Sequence, residues 1–119
     1  MVSKNSRIRA FGVAFKGLFS LFREFHFKIH ITALLTVIVA GFYFHISSAH
    51  WVNILLISAL VLSLEAVNSA IENLADAVHP DRHPLIGKCK DIAAGAVLIA
   101  AIFAVAIAAI IFTPYIVEA

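Results

Sequence analysis

Two parts of the chain, residues 29–64 and 92–117, contain no Asp, Glu, Lys or Arg. A helix that crosses a bilayer needs about 20 consecutive, predominantly apolar residues, and both parts are long enough to supply them. Of the 119 residues, 62% are hydrophobic and only 13% are charged, which is more apolar than a soluble domain of this length can bury. The excess of apolar side chains must therefore face lipid, which predicts an all-α integral membrane protein.

The longer uncharged part contains a short polar turn, Ser-Ser-Ala-His, at residues 47–50. Aromatic residues precede and follow this turn, as is typical of a membrane surface. The sequence therefore predicts three transmembrane helices, at 29–46, 51–78 and 92–113. The third is rich in alanine, whose small side chain lets helices approach closely in lipid. Three spans and their connections occupy the whole chain, so we expect a single membrane domain over residues 1–119.

Before the first span, large apolar residues recur in steps of three and four. They are Ile8, Phe11, Phe15, Leu18, Phe22 and Phe25. Arg9, Lys16 and Arg23 repeat every seven residues along one flank of this apolar face. The pattern predicts an amphipathic helix over 6–26 that lies in the membrane interface, with its cations near lipid phosphates.

The basic residues predict the orientation of the chain. Six of them precede Ile29, three more lie between the second and third spans, and the opposite side has none. Because Lys and Arg are enriched in cytoplasmic segments, we expect the amino terminus and the 79–91 loop in the cytoplasm. The net charge of +2 is too small to indicate a nucleic-acid partner.

A stripe of polar side chains lies on the second span. At about 1.5 Å per residue, Glu65 is about 21 Å along the helix from Trp51, still inside a hydrocarbon core roughly 30 Å thick. Asn68, Glu72 and Asp76 follow at offsets of three, seven and eleven, within about an 80° arc. A carboxylate at this depth is costly and usually marks a functional site. The stripe therefore predicts a site that connects lipid depth with the cytoplasm.

Two alternatives concern the ends of this stripe. Glu72 and Asp76 could be the solvated end of a helix longer than the bilayer, whereas Glu65 and Asn68 are too deep for that explanation.

Beyond the stripe, lysines and carboxylates near one interface suit ATP and a divalent ion. The sequence has no GxxxxGK[ST] motif and no kinase Gly-rich loop, which excludes the common soluble nucleotide folds. His26 and His30 share a helix face, but no third zinc ligand is evident.

Residues 65–100, EAVNSAIENLADAVHPDRHPLIGKCKDIAAGAVLIA, resemble the signature of the prokaryotic diacylglycerol kinase family, which includes the undecaprenol kinases. The match extends upstream through residues 15–17 and 24–30, with a one-residue difference in the spacing between Lys16 and Glu24. The resemblance implies a homotrimeric helical bundle in the bacterial inner membrane, with active sites shared between subunits at the cytoplasmic interface. It also implies phosphorylation of a membrane lipid alcohol, diacylglycerol or undecaprenol, with ATP and Mg²⁺.

The resemblance further implies roles for individual residues. Glu65 matches the general base for the lipid hydroxyl, with Asn68 beside it, and Glu24 and Glu72 match the carboxylates that hold Mg²⁺. Contacts with the nucleotide are expected from Arg9, Asp76, Asp81, Arg82, His83, Lys90 and Asp91. The alternative hypothesis is a non-catalytic membrane protein, such as a proton-coupled transporter whose Glu65 binds a proton. That hypothesis leaves Glu24 and the Lys90-Asp91 pair unexplained.

Overall fold

The computed structural model describes residues 4–118, and this range folds into four helices. They are α1 (Lys4–Phe22), α2 (Phe25–Phe44), α3 (Ser48–Val78) and α4 (Pro84–Glu118). No strand occurs between residues 4 and 118. Helices α2, α3 and α4 are each long and apolar enough to cross a bilayer. The predicted all-helical fold with three candidate spans is confirmed, whereas the predicted domain ends at residues 1 and 119 lie outside the described residues.

The chain turns between α1 and α2 without a glycine or a proline. The amide groups of Arg23 and Glu24 donate to the carbonyl oxygens of Ser20 and Leu21 at 3.3 and 2.9 Å, and these i to i−3 bonds close the last turn of α1. Glu24 then has an extended backbone, with φ −80° and ψ 136°. Helix α1 therefore ends at Phe22, before the predicted end at residue 26. Helix α2 begins at Phe25, four residues before the predicted start of the span at residue 29. The extended backbone of Glu24 separates the two helices.

No residue of α1 is buried, and its phenylalanines are exposed, although Phe22 packs against Phe27 of α2. Phe11 and Phe19, for example, are each 70% exposed. An apolar face of this kind in contact with water would be unfavourable, so it requires lipid or another protein surface. Placement of α1 in the membrane interface remains a prediction.

A tight connection joins α2 to α3. His45 ends α2 in the left-handed conformation, with φ 52° and ψ 52°. The amide of Ile46 donates to the Gly41 carbonyl at 3.2 Å, which satisfies an acceptor at the end of the helix. Ser47 then caps α3, because its Oγ accepts a hydrogen bond from the His50 amide at 3.3 Å. Helix α3 consequently begins at Ser48, within the segment predicted to be a turn.

The helices pack most tightly at the end where α2 meets α3. Helix α4 lies along α3, and the buried core at this end consists of Ile46, Ile54, Ile111 and Phe112. The rings of Phe42 and Trp51 lie 4.9 Å apart. A Cβ atom on Gly41 would lie 2.6 Å from Trp51 Cη2, so the close approach of the indole requires glycine at this position.

Helix α4 begins at Pro84, eight residues before the predicted span, so the predicted 79–91 loop is shorter than expected. Proline suits the first helical position because its missing N–H is not needed there. The Leu85 amide donates to His83 Nδ1 at 3.1 Å and completes the cap. At about 1.5 Å per residue, a 35-residue helix is about 52 Å long, well beyond a hydrocarbon core of roughly 30 Å. The residues before Ile92 therefore extend out of the membrane.

Candidate active site

The polar face of α3 passes from buried to exposed along the helix. Glu65, Asn68 and Ser69 are 6%, 9% and 7% exposed. Glu72 and Asp76, one and two turns further on, are exposed in the single chain. The first turns of this stripe therefore lie inside the helical bundle, and the later turns are accessible to a soluble molecule.

Glu65 lies against a histidine of α2. His30 Nε2 is 3.4 Å from Glu65 Oε2, and this is the one ion-pair contact of Glu65 within residues 4–118. A buried carboxylate is costly unless it is paired or hydrogen-bonded, so the contact is important for Glu65. His26, which shares a helix face with His30, is exposed and packs its ring against Phe25. The two histidines are thus in different environments.

Asn68 contributes a buried acceptor one turn from Glu65. Its Oδ1 atom is buried and accepts no hydrogen bond from the described part of the chain. Leaving a buried acceptor unsatisfied costs about 1–3 kcal/mol, so such groups usually have a functional reason. A ligand hydroxyl or a cation would satisfy this oxygen.

Glu24 is held by a serine that the sequence analysis did not single out. Ser69 Oγ donates to the Glu24 carboxylate, at 2.5 Å from Oε1 and 2.7 Å from Oε2. Glu24 occupies the N-cap position of α2, but its side chain makes no capping hydrogen bond there. Ser69 and Glu72 are three residues apart and share a face of α3, which brings the two predicted metal ligands to the same region. The sequence signal for Ser69 was its position in the Asn-Ser-Ala motif, directly after Asn68.

Two grooves lie on this part of the molecule, and Glu72 lines neither of them. One, of about 370 Å³, lies between α1 and α3 beside Glu24 and Ser69. The other, of about 310 Å³, lies where α3 ends and α4 begins. This second groove is lined by six of the seven predicted nucleotide contacts, Asp76, Asp81, Arg82, His83, Lys90 and Asp91. Arg9, the seventh, is exposed on α1 and lines neither groove.

Lys90 connects the second groove to the polar stripe. Its Nζ atom donates to Asp76 Oδ1 at 3.0 Å. Lys90 precedes the uncharged part of α4 and lies outside the membrane-spanning segment, and the hydrogen bond that it donates to Asp76 is the largest cause that raises its pKa. The ammonium group therefore stays protonated at neutral pH, and its partner Asp76 is exposed.

The acidic side chains suit magnesium better than zinc. Within residues 4–118, no group of three or more His, Cys, Asp or Glu side chains is arranged to hold a metal ion. Zinc sites in proteins usually need three or four such ligands. Magnesium is usually bound by one or two carboxylates together with substrate phosphates and water. A magnesium ion that arrives with a nucleotide therefore needs fewer protein ligands than a zinc ion.

Comparisons with known proteins identify one matching family and several relatives that are named as lipid kinases. The family described as prokaryotic diacylglycerol kinase matches residues 12–112. An undecaprenol kinase of Bacillus subtilis is 35% identical over 111 residues, which cover 92% of this chain and 90% of the relative. A diacylglycerol kinase of Escherichia coli is 37% identical over 101 residues, which cover 82% and 81%. A diacylglycerol kinase of Synechocystis is 38% identical over 90 residues, which cover 75% of this chain but 51% of the relative.

Proposed function

The chain belongs to the prokaryotic diacylglycerol kinase family, and from this premise we propose that Glu65 accepts the proton of a lipid hydroxyl beside a bound ATP. Family and relatives make the protein an ATP-using lipid kinase, which favours this function over a transporter. One observation supports this assignment most directly. Glu65 is buried on α3, whereas the exposed end of α3 lines a groove that also contains Lys90. Lipid and nucleotide could reach the same helix face from opposite sides.

The reaction transfers the γ-phosphoryl group of ATP to the lipid oxygen. A bond forms between that oxygen and the γ-phosphorus while the bond from phosphorus to the β,γ-bridging oxygen breaks, and ADP leaves. The hydroxyl proton passes to the Glu65 carboxylate, which acts as general base. Asn68, whose buried Oδ1 has no donor within the described residues, would orient the hydroxyl. Positioning and charge neutralisation supply most of the catalysis in such transfers.

The groove between α3 and α4 is the proposed nucleotide site. Lys90 and Arg82 would neutralise phosphate oxygens, and the hydrogen bond to Asp76 holds the Lys90 ammonium at the groove wall. Asp81, His83 and Asp91 would contact the remainder of the nucleotide. Arg9 would add a further cation from α1.

Glu24 and Glu72 are the proposed ligands of magnesium. When bound, the ion would neutralise negative charge on the phosphates. Ser69 fixes the Glu24 carboxylate through its hydroxyl, so one ligand is oriented before the nucleotide arrives.

We also infer a homotrimer in the bacterial cytoplasmic membrane, with the amino terminus inside. Glu72 is exposed in the single chain, and large apolar side chains of α4, such as Ile99 and Phe103, are also exposed, so another subunit could pack against them. The distribution of basic residues supports the orientation. The amphipathic α1 would then lie in the cytoplasmic interface.

The acceptor is testable by a direct assay. Purified protein in lipid bilayers receives Mg-ATP with either undecaprenol or diacylglycerol, and phosphorylated lipid is measured by thin-layer chromatography. The two kinds of relative align at similar identity, 35% and 37%, so the lipid with the higher kcat/KM in this assay is assigned as the acceptor. Phosphorylation of neither lipid would contradict the proposed function, and full activity with a metal chelator would contradict the magnesium site.

A further inference from the structure

His30 lies between Glu65 and an apolar cavity. Its Nε2 is 3.4 Å from Glu65 Oε2, and its ring also forms part of the wall of a 160 Å³ cavity between α2, α3 and α4. Most other wall residues are aliphatic, for example Val61 and Ala104. An apolar cavity of about 150 Å³ is large enough to hold a benzene molecule, so this cavity could accept several carbon atoms of a lipid chain. His30 therefore stands where a hydrocarbon chain and the buried carboxylate come closest.

We propose that His30 is a positioning residue, which holds Glu65 Oε2 through Nε2–H and leaves Oε1 directed at the lipid hydroxyl. The proposal rests on the proposed role of Glu65 as general base. A carboxylate in a flexible side chain must be held in one orientation to accept a proton efficiently. Nothing in the sequence motif of α3 provides that constraint, whereas the contact with α2 does.

The other charged groups near this end of the bundle are paired with other residues or exposed. Glu24, at the junction of α1 and α2, accepts the hydroxyl hydrogen of Ser69, which lies within reach of both carboxylate oxygens. Lys90, on α4, is paired with Asp76. Glu72, on α3, is exposed. Among the ionisable groups of residues 4–118, His30 alone is within ion-pair distance of Glu65.

The contact between His30 and Glu65 is longer than a formed hydrogen bond, so the proposal requires it to shorten when substrate binds. Hydrogen bonds from N–H to oxygen are usually 2.7–3.2 Å long, so 3.4 Å is a loose contact. Catalytic hydrogen bonds are often long in the unliganded protein and tighten when substrate binds. An imidazole also suits this position because it offers an apolar ring to the cavity and a polar edge to the carboxylate.

Three substitutions at position 30 test the proposal. His30→Leu keeps an apolar wall but removes the donor, His30→Gln places an amide N–H near the position of Nε2, and His30→Asn is too short to reach it. We expect His30→Leu to lower kcat about 10- to 100-fold, with KM for lipid and for ATP unchanged. His30→Gln should recover most of this loss and His30→Asn should not. His26→Leu, at the exposed histidine of the same helix, is the matched control and should keep wild-type kcat.

A second experiment asks whether His30 acts through Glu65. His30→Leu is combined with Glu65→Asp, which retracts the carboxylate, and a positioning role predicts that the combined loss is smaller than the product of the separate losses. Equal losses of kcat in both backgrounds, or wild-type kcat in His30→Leu, would overturn the proposal. If thermal unfolding shows that His30→Leu does not fold, equal kcat in the Gln and Asn variants would overturn it.

The outcomes also separate this proposal from the role of Glu65. An active Glu65→Gln variant would remove the general base, whatever happens at position 30. An inactive Glu65→Gln variant together with a fully active His30→Leu variant would leave the base in place and refute the positioning role alone.

Discussion

The two ends of the helical bundle differ in how closely their side chains pack and in how polar they are. The aromatic end comprises Gly41, Ile46, Trp51, Ile54, Ile111 and Phe112, and the polar end comprises Glu24, His30, Glu65, Asn68, Ser69 and Lys90. At the aromatic end, the indole of Trp51 leaves no room for a methyl group on Gly41. At the polar end, one groove opens beside the buried Ser69 and a second beside Lys90. A buried polar atom without a partner in the described chain occurs at each end, Asn68 Oδ1 at the polar end and His50 Nδ1 at the aromatic end.

The closely packed aromatic side chains and the ionisable side chains of the proposed active site therefore lie at opposite ends of the same helices. Close packing at the aromatic end stabilises the arrangement of α2, α3 and α4. The polar end keeps groups whose burial is unfavourable, as is common where a ligand must bind. Substitutions at the polar end should therefore affect turnover more than stability, and substitutions at the aromatic end the reverse.

The largest expected effect on turnover comes from Glu65→Gln. Loss of a general base typically costs about 10²- to 10⁴-fold, so we expect kcat to fall by that factor while the dissociation constant for ATP stays nearly constant. The thermal unfolding temperature should be unchanged or higher, because a buried carboxylate is replaced by a neutral group of similar shape. Lipid phosphorylation and ATP binding are measured on the same preparation. A variant with more than a tenth of wild-type kcat would refute the role of Glu65.

An intermediate effect is expected from Ser69→Ala, which removes the donor to Glu24. Loss of a group that orients a metal ligand typically lowers metal affinity about 10- to 100-fold. The Mg²⁺ concentration for half-maximal activity should therefore rise, with kcat recovered at saturating Mg²⁺. Ser63→Ala, at an exposed serine of α3 that lines neither groove, is the matched control. An unchanged Mg²⁺ titration in Ser69→Ala would mean that Glu24 does not act as a ligand held by Ser69.

The smallest effect on turnover should come from Gly41→Ala, at the aromatic end. The added Cβ would lie 2.6 Å from Trp51 Cη2 and 3.2 Å from Ile46 Cδ1. Overpacking of this kind typically costs about 1–3 kcal/mol, so the unfolding free energy should fall while kcat below the unfolding temperature stays constant. Gly12→Ala is the control, because no atom lies within 4 Å of its added Cβ. A large loss of kcat in folded Gly41→Ala protein would show that the two ends are coupled.

Much of the site on α3 could be predicted because its residues are close in sequence. Glu65, Asn68, Glu72 and Asp76 share a face wherever the segment is helical, and the structure gives a helix throughout. The groove that collects the predicted nucleotide contacts also depends on a short connection, from His79 to His83. Sequence reasoning placed Lys90 in a loop, however, because it did not use the tendency of Pro84 to start a helix.

The break between α1 and α2 shows why other features were missed. No glycine or proline signals a turn at Arg23 and Glu24, so the amphipathic pattern continued to residue 26 in the prediction. Only the path of the chain in space brings the Glu24 carboxylate to Ser69 on α3.

The sequence by itself determined the number of candidate spans, the absence of strand patterns and the polar face of α3. These follow from hydrophobicity and from the helical repeat, which act between residues close in the chain. The tertiary structure decided which side chains meet across helices, namely His30 with Glu65 and Glu24 with Ser69. Those contacts join residues 35 and 45 positions apart, and they depend on how the helices pack, which no local pattern encodes.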